Sequence, residues 1–132
     1  MTTPTRYMLL FRGPNWDEGR TPDETRAIMD KVQAWFEDLQ KRGIAAGAGA
    51  LERTGRVVSR KNPELIADGP YAEAKEIVGG YLLLNVDDID KATAIAEACP
   101  TLDHGIEIEV RPMLDECPIE KRLREREALA TA

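Results

Sequence analysis

The sequence predicts a single α+β domain whose strands and helices follow the order βαββαβ. The chain has 132 residues, which is the length of one domain. Two short runs, residues 5–11 and 81–86, are apolar on both faces, as expected for strands covered on both sides. A helix-like segment with one apolar face follows each run, which places a helix after each of these strands.

The first helix is predicted to begin at Thr21, which suits the N-cap position. Pro22 suits the first helical position, and Glu24 completes a capping box. Gly43 is a natural stop after Lys41 and Arg42. The apolar residues between these ends lie within an arc of about 120°, which predicts a helix packed on one side: Ile28, Met29, Val32, Trp35, Phe36 and Leu39.

The middle of the chain has weaker signals. Residues 44–51 are small and glycine-rich, which indicates either a strand or a stretch where another group packs very close. Residues 56–60 and 64–67 are predicted to be short strands, followed by a turn at residues 68–70. Residues 72–76 are expected to form one helical turn.

The second helix is predicted to start at Asp87 with Asp90 and to end at Pro100. Its apolar face is formed by Ile89, Ala92, Ile95, Ala96 and Cys99. Residues 106–111 alternate between apolar and charged side chains, which predicts a half-exposed strand. The tail, residues 118–132, is charged and helical in composition.

This order fits a ferredoxin-like βαββαβ layout, in which the first and third core strands are central and the last strand lies at an edge. Two helices cover only one face of such a sheet. The other face would expose apolar side chains, and large exposed apolar patches mark interfaces. We therefore expect a C₂ homodimer that buries sheet against sheet. The alternative is that the C-terminal tail covers this face of the sheet, which its many charges disfavour.

The composition excludes several functions. The net charge of −6 disfavours direct nucleic-acid binding. No apolar run approaches the roughly 20 residues needed to span a bilayer, and the N-terminus lacks the parts of a signal peptide. With two cysteines and no leader, we expect a cytoplasmic protein. One histidine and two distant cysteines give no metal site, and no cofactor-binding motif is found.

One segment resembles a known family. Residues 68–76 read DGPYAEAKE and are followed by Gly79, Gly80 and Tyr81, which is similar to the signature of the YCII-related, DGPF-type family. Tyr71 replaces the usual Phe. The run RYMLL at residues 6–10 resembles the first strand of the family, and EVRP at residues 109–112 resembles its last. The resemblance covers residues from about 6 to 113, so we expect residues 1–113 to form one domain and residues 114–132 to form a charged, helical extension.

The resemblance implies a ferredoxin-like fold that forms a dimeric α/β barrel. Most of the family is uncharacterised. A His–Asp active site has been proposed for smaller relatives, with the His near the first helix. Residues 21–42 contain no histidine, so the resemblance does not carry that dyad onto this chain. Members of the DGPF type also accompany extracytoplasmic-function sigma factors, which implies a regulatory partner.

Asp68 is the first candidate catalytic residue. An Asp in a turn usually accepts the N–H group two residues later, but Pro70 has none. Asp68 is therefore either a general base or ligand acceptor, or a turn and capping residue. The neighbouring candidates for ligand binding are Gly69, Pro70, Tyr71, Lys75 and Glu76. The alternative is that Tyr71 packs on the core and that the charged residues around it are surface groups.

His104 is the second candidate catalytic residue, because it is the only histidine of the chain. It needs a carboxylate to orient it, for which Asp103 and Asp68 are candidates; the alternative is a solvent-exposed loop histidine. Arg111 shares one strand face with Glu107 and Glu109. It could bind a ligand carboxylate, or belong to an ion-pair lattice that fixes the dimer.

Two functions follow from these residues. The first is a small cofactor-free enzyme that uses Asp68 and His104 for acid–base chemistry on a small polar or aromatic acid. The alternative is a non-catalytic small-molecule-binding or regulatory module associated with a sigma factor, with the charged tail as its docking helix. A purely structural dimer is a third interpretation, so the sequence leaves open whether the protein is an enzyme.

Overall fold

The computed structural model describes residues 4–61, 63–68 and 76–131. In this part of the chain, strands and helices follow one another in this order: β1 (Tyr7–Arg12), α1 (Pro22–Lys41), β2 (Ala45–Ala50), β3 (Val57–Lys61), β4 (Glu64–Asp68), β5 (Val78–Leu84), α2 (Ile89–Glu97), a 3₁₀ helix (Pro100–His104), β6 (Glu107–Pro112) and α3 (Pro118–Thr131).

Four strands form an antiparallel sheet in the order β2-β5-β1-β6. The predicted central strands are confirmed, since β1 and β5 occupy the middle and β6 lies at an edge. Leu9 of β1 lies opposite Leu82 of β5, so the two apolar runs stack their buried side chains in register. This sheet is open, and the described residues of one chain contain no closed barrel.

The core lies on one face of the sheet. Leu9, Leu82 and Leu84 are fully buried and pack with Leu39 of α1 and with small residues of α2. The side chains that alternate with them point to the opposite face, where they are only half-buried: Met8, Leu10, Tyr81 and Leu83. Helix α3 contributes no buried residue, so the charged extension does not enter this core.

The ends of α1 agree with the sequence. Thr21 accepts a hydrogen bond on Oγ1 from the backbone N–H of Glu24, at 3.1 Å, and Gly43 follows the helix with a φ of +70°. The start of α2 differs by one residue. Asp88, rather than Asp87, caps the helix by accepting from the N–H of Asp90. Asp87 instead binds Lys91 at 3.1 Å.

Strands β3 and β4 form a separate two-stranded sheet, within one residue of the predicted segments. Its apolar side chains Val57, Val58 and Leu65 are exposed. The predicted helical turn at residues 72–76 lies outside the described residues, except for Glu76, which is exposed and has 3₁₀ conformation. Among the helices that the structure describes, none has the length and apolar character needed to cross a bilayer.

Candidate functional site

A cleft of about 640 Å³ lies between α1, strand β2 and the loop that joins β1 to α1. Helix α1 supplies one wall through the apolar face predicted from the sequence: Met29, Val32, Trp35 and Phe36. These four side chains are half-buried rather than buried, because the helix packs over an open space on this part of the sheet. The cleft is therefore apolar on its helical side.

The floor of the cleft is a row of very small residues. The strand register places Gly80 between Phe11 and Ala50, and it places Ala48 beside Leu82. A Cβ atom on Gly80 would lie 3.0 Å from the carbonyl oxygen of Gly49, so the strands approach closely here. Because these residues have almost no side-chain volume, the aromatic rings of α1 cannot fill the space above them. The cleft follows directly from the glycine-rich composition of residues 44–51.

The aromatic wall is held in place by two contacts. The rings of Phe11 and Trp35 meet edge to face, with centroids 6.4 Å apart. The indole Nε1–H of Trp35 donates to the carbonyl oxygen of Ile95 at 3.1 Å, so its polar group is satisfied by α2. Edge-to-face pairs fix ring orientation, which gives this wall a defined shape.

Polar groups lie at the rim and at the inner end of the cleft. Arg53 donates from Nη1 to the carbonyl oxygen of Gly13 at 2.7 Å, which ties the start of the β1–α1 loop to the chain after β2. Asn15 and Asp17 of that loop also line the rim. At the inner end, the Sγ of Cys99 lies 3.2 Å from Oγ1 of Thr101. Cys99 is buried, as predicted, but α2 ends at Glu97, before the predicted end at Pro100, so Cys99 lies after this helix rather than on its apolar face.

His104 ends the 3₁₀ helix beside this loop. Its Nδ1 lies 3.2 Å from Nη2 of Arg20, and its ring centroid lies 6.0 Å from the ring of Trp16. Trp16 also lines the cleft. The side chain that holds His104 is thus a guanidinium, whereas Asp103, predicted as a carboxylate partner, is exposed.

Arg111 lies on the open face of the sheet. The carboxylate of Glu109 binds Arg111 at 3.0 Å and Arg12 at 3.6 Å. The Nε of Arg12 is buried and has no hydrogen-bond partner among the described residues. Arg111 pairs with Met8 near the start of β1, whereas His104 contacts the loop after the end of β1. The two predicted site residues are therefore not brought together.

Asp68 is the last residue of β4, with its Cα opposite that of Val57. Its side chain lies outside the described part of the structure, as do four of the residues predicted to bind a ligand: Gly69, Pro70, Tyr71 and Lys75. The constellation around Asp68 thus stays a prediction. Sequence reasoning missed Trp16, Ala48 and Ala50 as cleft residues, although the glycine-rich run signalled a close approach of some kind.

Comparison with known proteins places the chain in a family. The YCII-related domain model matches residues 5–114. No curated protein matches this chain. A solved structure of 5-chloro-2-hydroxyhydroquinone dehydrochlorinase from Burkholderia phenoliruptrix AC1100, in complex with 2,5-dihydroxybenzoquinone, is 15% identical. That match covers 83% of this chain and 95% of the other, with a TM-score of 0.43. Because the family model spans the whole sheet and both helices packed on it, this chain belongs to the YCII-related domain family.

Proposed function

We propose that this protein binds a small molecule with a flat apolar body and a polar group in the cleft between α1 and β2. The observation that carries the proposal is the cleft itself, at about 640 Å³. Small-molecule sites are typically concave, largely apolar and about 300–1,000 Å³ in volume, with a few polar groups that fix orientation. The cleft has all of these properties.

The shape of the cleft favours a planar ligand. A flat ring can lie against the backbone at Ala48, Ala50 and Gly80, because no side chain stands between it and the sheet. The edges of Phe11 and Trp35 would then contact its faces or rim. Asn15 and Arg53 place polar groups at the mouth, where a carboxylate or hydroxyl of the ligand would remain accessible to water.

A substitution that fills the cleft tests this proposal. Ala48→Leu would place a larger side chain on the cleft floor, while Ala46→Leu is a matched control on the same strand that does not line the cleft. We expect small planar acids to raise the melting temperature of the wild type and of Ala46→Leu, since a ligand that binds the native state stabilises it. They should not raise the melting temperature of Ala48→Leu, because the larger side chain blocks the cleft. Equal shifts in all three proteins would overturn the cleft as the ligand site.

We extend the proposal to catalysis as an acid–base reaction on a small polar or aromatic acid, without a cofactor. His104 supports this, since it touches Trp16 at the wall of the cleft. Asp68 would supply the carboxylate. Replacing Asp68 with Asn should abolish turnover of a substrate found in the screen while leaving its binding intact. Unchanged turnover would leave the protein as a binding module.

We also propose a homodimer that pairs the open sheet faces as a ferredoxin-like dimeric α/β barrel. The half-buried apolar side chains Met8, Leu10 and Leu83 on that face support it. Leu83→Asp should shift the sedimentation coefficient to that of a monomer. Leu65→Asp, on the exposed hairpin, is the matched control and should leave the dimer unchanged. Monomeric wild type would remove this proposal.

A regulatory function is the second candidate, favoured by one feature of α3. Ile119 and Leu123 are 66% and 48% exposed and lie four residues apart on one helix face. If α3 docks onto a sigma factor, Ile119→Ser with Leu123→Ser should abolish a pull-down with that factor. Leu129→Ser, an exposed residue elsewhere on α3, is the control. An unaffected complex in the double variant would exclude α3 as the docking element.

A further inference from the structure

We infer that the loop between β1 and α1, residues 13–20, is a gate of the cleft that His104 holds closed through Arg20, and that the gate opens when His104 takes up a proton. The inference rests on the proposed function, because the gate regulates access to the same cleft. Pro14, Asn15, Trp16 and Asp17 of this loop all line the cleft, so the position of the loop sets how open it is.

One guanidinium joins the loop to the 3₁₀ helix. Arg20 donates from Nε to the carbonyl oxygen of Trp16 at 2.9 Å and lies 3.2 Å from Nδ1 of His104 through Nη2. The first contact fixes the carbonyl group of Trp16. The second fixes the ring of His104, which in turn contacts the indole of Trp16. All three side chains are half-buried, so water competes only partly for these hydrogen bonds. We refer to these contacts as the latch.

The latch requires a neutral imidazole. Arginine has only N–H donors, so Nδ1 of His104 must be the acceptor and the ring proton must reside on Nε2. A second proton on Nδ1 would remove the acceptor and place two positive charges about 3.2 Å apart. Protonation of Nδ1 would therefore break the latch, and comparing the protein at pH 5 and pH 8, the range in which histidine side chains in general change charge, tests this.

Among the residues that the structure describes, the charged groups near His104 do not supply a substitute acceptor in direct contact. The loop carries Asp17 and Glu18 beside Arg20, and both carboxylates are on exposed residues. Asp103, adjacent to His104 in its own helix, is exposed as well. Helix α1 also packs against the 3₁₀ helix, and its half-buried residues toward that end are uncharged: Thr25, Ile28 and Met29.

The start of the loop is fixed by contacts that do not depend on this proton. Gly13 donates its N–H to the carbonyl oxygen of Ile77 at 3.3 Å and accepts from Arg53 on its own carbonyl. Its φ is +142°, and a Cβ there would lie 2.9 Å from the carbonyl oxygen of Gly105. Gly19, with a φ of +80°, marks the other end. Breaking the latch would therefore detach the loop from the 3₁₀ helix, while Gly13 stays anchored and the loop keeps its internal hydrogen bonds from the N–H of Glu18 to Asn15 and from the N–H of Arg20 to Asp17.

Two variants of His104 separate the latch from a general structural role. Asn carries its side-chain oxygen near the position of Nδ1 and does not titrate, so His104→Asn should keep the latch closed at every pH. His104→Gln is a similar polar substitution, but its amide lies one carbon farther from the backbone, and it should leave the latch open. Wild-type-like melting temperatures for both variants at pH 8 would show that the fold is retained.

The first measurement needs no ligand. Hydrogen exchange of the amides of residues 15–19, corrected for intrinsic rates, should be about tenfold or more faster at pH 5 than at pH 8 in the wild type, the factor expected from loss of one hydrogen bond to a charged group, while the amide of Gly13 should not change. His104→Asn should exchange slowly at both pH values, and His104→Gln rapidly at both. Equal exchange of the wild type at the two pH values, or the same pH dependence in His104→Asn, would overturn the latch.

The second measurement tests the gate with 8-anilinonaphthalene-1-sulfonate, an aromatic anion that binds apolar sites. Its dissociation from the wild type should be faster at pH 5 than at pH 8, and the difference should disappear in His104→Asn. Ala48→Leu reports whether the dye occupies the cleft. If Ala48→Leu abolishes dye binding, but the dye dissociates from the wild type equally fast at both pH values, the gate would be overturned. Dye binding unaffected by Ala48→Leu would count against the proposed function alone, while hydrogen exchange still decides the latch.

Discussion

The ring of Tyr81 occupies the space in which residue 49 would carry a side chain. A Cβ atom built on Gly49 would lie 2.7 Å from Cε1 of Tyr81 and 2.9 Å from its hydroxyl oxygen. The two residues are paired across β2 and β5. Strand β2 therefore has the Tyr81 ring packed against Gly49 on the open face of the sheet, whereas Ala48 and Ala50 face the cleft.

Gly49→Ala should destabilise the protein by about 1–3 kcal/mol, because the new methyl group overpacks against an aromatic ring that must move. Gly47→Ala is the control on the same strand, since its Cβ would make an ordinary contact of 3.6 Å with Leu83. The control should be neutral or slightly stabilising. Urea unfolding of both variants measures the difference, and equal stabilities would contradict the close packing of Tyr81.

Leu82→Ala should lower the free energy of unfolding by about 2–5 kcal/mol, as expected for a large cavity in a packed core. Leu82 is 1% exposed on the helix-covered face, while Leu83, its neighbour, points to the open face. Leu83→Ala should cost less, and its effect should depend on protein concentration if the open faces pair. A larger loss for Leu83→Ala in dilute solution would reverse the assignment of the two faces.

Trp35→Phe should destabilise the protein by about 1–2 kcal/mol, because the hydrogen bond to Ile95 and part of the ring area are lost. The cost is limited because the carbonyl group of Ile95 also accepts from the N–H of Ala98. Trp16→Phe is the same substitution in the loop and should change stability by less than about 0.5 kcal/mol. Thermal unfolding of the two variants measures whether the loss of stability at Trp35, in the cleft wall, exceeds that at Trp16, in the loop.

The stability of the start of α3 should depend on pH through one ion pair, between Glu116 and Arg124. Glu116 accepts two hydrogen bonds from Arg124, at 2.7 and 3.0 Å, and these bonds lower the pKa of Glu116 from its ordinary 4.5. Because the pKa is lowered in the folded state, the stabilisation of α3 is complete above that ordinary value and is lost as the pH falls through the lower one.

Carboxyl-carbon NMR checks this directly. Glu116 should titrate below 4.5 in the wild type and return toward 4.5 in Arg124→Gln. Arg122→Gln removes a charge from the same helix without removing this hydrogen-bonded pair, so the midpoint should stay low. A midpoint that moves equally in both variants would indicate a general field of the helix rather than the Arg124 contact.

Local signals in the sequence predict the elements well. Thr21 and Gly43 mark the ends of α1 because capping depends on residues within a few positions of each other. Helix α2 begins one residue later than the sequence predicts, because Asp88 rather than Asp87 caps it, and the residue type of both suits that position equally. The central strands were identified because burial on both faces leaves a continuous apolar run.

The candidate site is harder to predict because its contacts are distant in sequence. Arg20 reaches His104 across 84 positions, and the floor of the cleft exists only through the register of β2 against β5. No local pattern encodes either relationship. The glycine-rich run of β2 indicates that another group packs close to it. Only its pairing with Gly80 and Tyr81 shows that one face of the sheet carries the open cleft and the other carries the tightly packed Tyr81 ring.

The small residues of β2 also bear on self-association. In the described part of the sheet β2 is an edge strand, and its sequence AAGAGA carries neither the charges nor the proline that usually keep edge strands apart. Its pairing with β5 is irregular between Ala45 and Gly47, as in a β-bulge. Bulges twist an edge away from the flat geometry that templates another strand. We therefore expect this irregularity, which lies just before the residues of the cleft floor, to limit growth of the sheet at that edge.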